Sequence, residues 1–116
     1  MKKISINNFS ICNSLPFVLI AGPCVLESRD HAFKMTEEIK KISDELGLNF
    51  IYKTSFDKAN RTSIDSYRGI GLEESLRIFD DLKKTYNCPL LTDVHQESHC
   101  SIVSEVVDII QIPAFL

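Results

Sequence analysis

Three cations lie close together in the middle of the chain. Lys53, Lys58 and Arg61 fall within nine residues, and Asp57 is the only acid among them. Lysine supplies a compact positive charge, and arginine supplies a two-pronged donor that matches phosphate or carboxylate oxygens. The cluster predicts a site for a doubly anionic or phosphorylated small molecule. The competing interpretation is an exposed charged loop with ordinary ion pairs.

A thiol and an imidazole stand at comparable positions elsewhere in the sequence. Cys24 follows a Gly-Pro pair, and His95 lies two residues after Asp93. Cysteine and histidine are suitable ligands for Zn or Fe, and histidine is also a proton shuttle near neutral pH. A buried free cysteine is the competing interpretation of Cys24. We assign structural roles to the other cysteines and histidines, which are Cys12, His31, Cys88, His99 and Cys100.

Alternating strands and helices are predicted to carry these residues. Continuous apolar runs predict strands at residues 17–21, 48–52, 89–92 and 106–112. Helical spacing predicts a helix from the Ser28 cap to Gly47, another over residues 73–86, and a third from a Ser98 cap to near Glu105. Residues 53–71 are predicted to form a long polar loop outside the core. Alternating apolar residues predict a hairpin in the first fifteen residues: Ile4, Ile6, Phe9 and Ile11.

This order of elements predicts an α/β fold. A hairpin followed by βαβαβαβ, with short strands buried on both faces, requires a parallel sheet with right-handed crossovers. The sheet could be a small open one or the first half of an eight-stranded barrel, which typically needs about 250 residues. Length alone favours the open sheet. In either case ligands bind where strands end at their carboxyl side, so the residues after each strand are predicted to form one rim.

Composition bounds the classes of function. The 116 residues, 44% apolar and 25% charged, are typical of one soluble domain, and the net charge of −3 argues against a nucleic-acid-binding surface. The longest apolar stretch, residues 16–26, is about half of the roughly 20 residues needed to cross a bilayer. The four cysteines show no close pairing, so reduced thiols in the cytoplasm are expected. We therefore predict no nucleic-acid and no membrane partner.

Five motifs carry a resemblance to a known family. They are AGPCVLES at residues 21–28, YKTSFDKANRTS at 52–63, SYRG at 66–69, LTDVH at 91–95 and DIIQIPAFL at 108–116. In this order they resemble the 3-deoxy-D-manno-octulosonate 8-phosphate synthases over nearly the whole chain. The related synthases that use erythrose 4-phosphate share parts of the first motif. FDKANR followed by SYRG points to the eight-carbon family.

The resemblance implies a TIM (β/α)8 barrel enzyme of lipopolysaccharide biosynthesis. Such an enzyme condenses phosphoenolpyruvate with D-arabinose 5-phosphate and water, and releases inorganic phosphate. By motif, Lys53 and Lys58 would bind phosphoenolpyruvate, and Asp93 and His95 would line the sugar site, these four forming the catalytic set. Substrate-binding roles would fall to Asn60 and Arg61 for arabinose phosphate, to Thr62, where many relatives have serine, and to Gln111 and Ala114 beside the enolate carbon and carboxylate.

The resemblance also bears on metal binding and completeness. Cys24 is similar to the cysteine of the family's metal-dependent branch, which implies a divalent ion such as Zn, Fe or Mn, no organic cofactor, and a homotetramer. The likeness ends after about four βα units, so we expect one partial domain, with the hairpin at residues 1–15 and the first half of the barrel at residues 16–116. We expect the chain alone to be inactive or very weak. Two alternatives are an inactive remnant and a sister synthase that uses another aldose phosphate.

Overall fold

The computed structural model describes residues 1–58 and 69–114, in which strands alternate with helices after an initial hairpin. The strands are β1 (Ile4–Ile6), β2 (Phe9–Ile11), β3 (Leu19–Ala21), β4 (Phe50–Lys53), β5 (Leu90–Asp93) and β6 (Ile109–Gln111). The helices are α1 (Arg29–Glu45), α2 (Leu72–Tyr86) and α3 (His99–Ser104). The predicted α/β class is confirmed.

The hairpin at the amino terminus is a separate two-stranded sheet. β1 and β2 pair antiparallel, with Ile4 opposite Ile11 and Ile6 opposite Phe9. Asn7 takes a positive φ of 52° in the turn, a conformation that asparagine tolerates better than most residues. The predicted hairpin is therefore confirmed.

The main sheet has four parallel strands in the order β3-β4-β5-β6, which is also their order along the chain. Apolar residues of α1 and α2 pack on one face of this sheet, and Tyr52 and Leu90 share one buried cluster with Phe79 and Leu82 of α2. Burial of such side chains contributes roughly 1.5–3 kcal/mol each to the free energy of folding. The helix layer on this face therefore forms the core and fixes the strands relative to one another.

Burial differs between the inner and outer strands. β4 and β5 are buried along almost their whole length, as predicted. β3 and β6 are only partly buried, and Ile20 in the middle of β3 is 50% exposed. The prediction that every strand is buried on both faces was therefore wrong for β3 and β6. These two strands are the edges of the described sheet, and each has a strand neighbour on one side only.

Several predicted boundaries needed correction. β3 begins two residues later than expected, and Phe17 is 68% exposed, since it precedes the paired part of the strand. β6 is three residues long rather than seven. Ser28 does cap α1, since its hydroxyl accepts a hydrogen bond from the His31 amide at 3.1 Å. Ser98 caps nothing with its side chain, because its hydroxyl instead donates to Gln96 at 3.4 Å.

The start of the predicted polar loop belongs to the core. Thr54 and Ser55 are completely buried and Phe56 is 2% exposed. Their backbone groups are paired, because the Thr54 amide donates to Leu91 and the Ser55 carbonyl accepts from Leu26. Polar residue types can be buried when such partners satisfy the backbone. None of the helices in the described ranges is long and apolar enough to cross a membrane.

Candidate active site

Three of the predicted site residues end neighbouring strands. Lys53 ends β4, Asp93 ends β5 and Gln111 ends β6. In the parallel register Lys53 pairs with Leu91, and Asp93 pairs with Gln111. Paired residues share a face of the sheet, and residues two apart on a strand share it too. Lys53, Asp93 and Gln111 therefore lie on one face, the one opposite the helix layer.

Asp93 and His95 form a partly enclosed pair at the end of β5. His95 Nε2 lies 3.0 Å from Asp93 Oδ2, and the two side chains are only 6% and 10% exposed. An ionised carboxylate can only accept, so the hydrogen bond requires the imidazole proton on Nε2. The second ring nitrogen, His95 Nδ1, has no hydrogen-bond partner in the described part of the chain. The pair thus presents an imidazole whose tautomer is set by a neighbouring carboxylate.

Lys58 is held by a contact within its own segment. Its Nζ donates to the Ser55 hydroxyl at 2.8 Å, and the lysine is half-buried. Ser55 in turn pairs with Val25 in an isolated parallel bridge. This bridge ties the segment after β4 to the segment after β3. The residues around Cys24 and Lys58 are therefore fixed relative to each other by backbone pairing.

Cys24 is the predicted metal ligand, and the described residues do not provide a complete set of ligands around it. Cys24 is an exposed free thiol one residue before Val25. Within residues 1–58 and 69–114, no group of three or more His, Cys, Asp or Glu side chains is arranged to hold a metal. Catalytic zinc sites use three protein ligands and one open position. The described residues alone therefore do not fit a catalytic metal.

The structure describes only some of the residues that are predicted to bind substrate. Gln111 and Ala114 are both exposed at the end of the described chain. Asn60, Arg61 and Thr62 lie outside the described residues. Of the three predicted cations, the structure therefore describes Lys53 and Lys58.

Phe56 packs against the His95 ring and also against His99, and neither Phe56 nor His99 is among the predicted site residues. Phe56 belongs to the motif at residues 52–63, and the sequence predicts a structural role for His99. The Phe56 ring centroid lies 5.4 Å from that of His95 and 5.6 Å from that of His99. The sequence feature that could have indicated this contact is Phe56 itself, a large aromatic residue of a type usually buried, inside an otherwise polar segment. A cleft of about 240 Å³ beside His95 is lined also by Val94, Gln96, Glu97, Cys100 and Ile112.

The chain is similar to a defined group of proteins over almost its entire length. Residues 2–116 match the model of the DAHP synthetase I family. The chain is 58% identical over 114 residues to the 2-dehydro-3-deoxyphosphooctonate aldolase of Bartonella tribocorum. The aligned region covers 98% of this chain and 41% of that protein. The proteins of the same name from Bartonella henselae and Brucella ovis are 57% and 55% identical over 113 residues. The chain thus spans about two fifths of the length of these relatives, with 40% and 41% of the latter two covered.

Proposed function

This chain belongs to the DAHP synthetase I family, and we propose that it supplies part of an enzyme that makes 3-deoxy-D-manno-octulosonate 8-phosphate. The substrates are phosphoenolpyruvate, D-arabinose 5-phosphate and water, and the second product is inorganic phosphate. The observation that carries the proposal is the common rim, where Lys53 and the Asp93–His95 pair end neighbouring strands. The name shared by the relatives, 2-dehydro-3-deoxyphosphooctonate aldolase, supports the same eight-carbon product.

The reaction needs two anions to be oriented and one developing charge to be stabilised. The enol carbon of phosphoenolpyruvate forms a bond to the aldehyde carbon of the sugar, and the aldehyde oxygen takes up a proton. Water adds to the carbon that carries the phosphate and releases one proton, which balances the proton taken up by the aldehyde oxygen. The new hydroxyl then loses its proton to the departing phosphate, so that this carbon becomes a keto group as its bond to the phosphate oxygen breaks. Fixed orientation and positive or hydrogen-bonding groups aimed at the developing charge accelerate such steps.

Each residue of the rim has a role in this proposal. Lys53 and Lys58 bind the phosphate and carboxylate of phosphoenolpyruvate, since compact ammonium groups match these oxygens. His95, with its tautomer set by Asp93, contacts the sugar next to the reacting aldehyde. The sugar phosphate binds to Asn60, Arg61 and Thr62, and Gln111 and Ala114 border the enolate carbon and carboxylate.

We further propose that the described sheet forms part of an eight-stranded barrel. The face that carries Lys53 and Asp93 has no helix layer among the described elements, and β3 and β6 have open edges. Four further strands would complete an eight-stranded barrel and cover both features. Cys24 would then act as one ligand of a divalent Zn, Fe or Mn ion only if other residues supply the remaining ligands. We also propose that the complete enzyme is a homotetramer.

Phosphate release tests the proposed function. A chimera in which this chain replaces the 114 aligned residues of the Bartonella tribocorum relative should release phosphate when both phosphoenolpyruvate and D-arabinose 5-phosphate are supplied. The 116-residue chain alone should release little or none. A folded chimera that releases no phosphate, while the parent relative does, would contradict the proposal.

The choice of sugar separates the eight-carbon reaction from a sister synthase. In the same assay, erythrose 4-phosphate should not replace arabinose 5-phosphate, because FDKANR followed by SYRG is typical of the eight-carbon family. Equal or faster turnover with erythrose 4-phosphate would favour the sister reaction. High activity of the chain alone would exclude both the inactive remnant and the need for further strands.

A further inference from the structure

Phe56 packs against two imidazole rings beside the rim. Its ring meets that of His95 at 75° and that of His99 at 71°, both in edge-on arrangements. Centroid separations of 5.4 Å and 5.6 Å fall in the range in which aromatic pairs attract each other. His99 is the first residue of α3, so the Phe56 ring links the segment after β4 to this helix.

His95 needs such a neighbour because its own polar contacts do not fix its ring. One hydrogen bond, from Nε2 to Asp93, holds the imidazole within the described residues, and Nδ1 has no partner there. A hydrogen bond tolerates a range of angles, so this one and the attachment at Cβ still allow the ring plane to tilt. A packed ring against the imidazole restricts that tilt. Phe56 is the aromatic side chain that makes this contact in the described ranges.

Phe56 is itself held firmly enough to act as a support. The side chain belongs to the buried core, and the residue is 2% exposed. The preceding carbonyl, that of Ser55, accepts a hydrogen bond from the Leu26 amide at 2.8 Å. The Phe56 carbonyl packs against Gly69 so closely that a β-carbon at position 69 would overlap it. The backbone on which the ring stands therefore has little room to move.

From these contacts we propose that Phe56 is a positioning residue that fixes the ring plane of His95 and thereby maintains the tautomer that Asp93 sets. Phe56 keeps the imidazole aligned with Asp93, so that the ring proton stays on Nε2 and the buried Nδ1 stays unprotonated. His99 makes a second edge-on contact with the Phe56 ring. The relevance to turnover rests on the proposed function, in which His95 contacts the sugar. The orientation of the His95 ring is a property of the chain without substrate, so it can be measured in the absence of substrate.

Nitrogen NMR of the 116-residue chain tests the positioning directly. At mildly alkaline pH, where histidine side chains are ordinarily neutral, His95 should show one tautomer, with the proton on Nε2. Phe56→Leu should abolish that signature, so that the two ring nitrogen shifts of His95 move towards each other. Phe56→Tyr keeps the ring and should retain the single tautomer. Phe56 lines a cavity of about 310 Å³ together with Asp57, Gly69, Gly71, Leu72 and His99.

A matched control separates positioning from general loosening of the core. Phe50 is also buried, at 6% exposure, and its ring packs edge-on against Tyr52 at 6.3 Å, at the opposite end of β4. Phe50→Leu should leave the His95 shifts unchanged. His95 shifts that are the same in Phe56→Leu as in the unsubstituted chain would overturn the proposal, and so would equal changes in Phe50→Leu.

The unsubstituted chain provides a test that survives a folding failure of the Phe56→Leu variant. Its spectra should contain a nuclear Overhauser contact between the Phe56 and His95 rings together with the single tautomer. Absence of that contact, or a mixture of tautomers, would overturn the positioning without any variant. Because no substrate is present in these measurements, their failure is distinct from failure of the phosphate-release assay.

Discussion

Gly22 packs against the backbone carbonyl of Lys53 so closely that a β-carbon at position 22 would overlap it. The contact joins the residue after β3 to the last residue of β4, where a cation of the proposed site begins. Only a residue without a side chain allows the two backbones to approach in this way. The position of the segment that carries Cys24 therefore depends on the lack of a side chain at Gly22.

Gly22→Ala is expected to destabilise the chain by about 2 kcal/mol, because the added methyl group forces the ends of β3 and β4 apart. Gly47→Ala is the control. Position 47 has a φ of 68° but nothing within 4 Å of an added β-carbon, so only the backbone penalty of roughly 1 kcal/mol applies. Urea unfolding measures both, and equal losses in the two variants would contradict the crowding at Lys53.

Lys58→Ala should lower kcat/KM of the chimera by about tenfold to a hundredfold, since a charge-assisted contact to a phosphate or carboxylate is worth roughly 1.5–3 kcal/mol. Lys84→Ala removes the same charge from the exposed face of α2, where Lys84 pairs with Asp80 at 2.6 Å. That variant should retain the parental rate. If Lys58→Ala is as active as Lys84→Ala, Lys58 does not bind phosphoenolpyruvate.

Asp93→Asn should reduce kcat of the chimera on the order of 10–100-fold, because the amide no longer fixes the proton on His95 Nε2. The change removes a charge but keeps the shape of the side chain, so the fold should persist. Asp80→Asn makes the same substitution on the surface of α2 and serves as the comparison. Parental turnover in Asp93→Asn would show that the carboxylate has no part in setting the imidazole.

Stability should fall in alkaline solution, with Cys88 as one cause. Burial raises the pKa of the Cys88 thiol from 9.0 to about 11, because the thiolate is poorly solvated in the core. Between these values the unfolded chain has released a proton that the folded chain keeps, so stability present below about pH 9 is lost as the pH rises towards 11. Urea unfolding at a series of pH values should show a loss on the order of 1 kcal/mol from this group.

Cys88→Ala removes the titrating thiol and should flatten part of that decline. Tyr52, whose pKa burial raises to about 12, contributes to the remainder at higher pH. The comparison uses the slope of stability against pH, so the small cavity left by the substitution does not affect it. Identical slopes in the unsubstituted chain and in Cys88→Ala would exclude Cys88 as a cause.

The elements were predictable because their periodicity reports local structure. The apolar run at residues 48–52 and the helical spacing over residues 73–86 correspond to β4 (Phe50–Lys53) and α2 (Leu72–Tyr86), with bounds that agree within two residues. The partial exposure of Ile20 was not predictable in the same way. Its burial depends on whether a strand or helix covers β3 from outside, and no pattern within the strand encodes that.

The sequence predicts which residues belong to the candidate site better than it predicts the contacts between them. Lys53 and Asp93 stood out because charged residues directly after buried strands must meet at one rim. The contact of Phe56 with His95 joins two segments that are far apart in sequence, and residue types alone do not specify it. Composition also assigned Ser55 to a polar loop, whereas it is buried with its backbone paired.

The strands of the main sheet are neighbours in space in the order in which they are joined along the polypeptide. Each strand can therefore pair with one that has already left the ribosome, without waiting for a later segment to be inserted between them. Such sequential contacts keep the separation between interacting residues short, and short separations favour fast folding. For this chain, assembly of the rim can follow the direction of translation, with Cys24 placed first and Gln111 last.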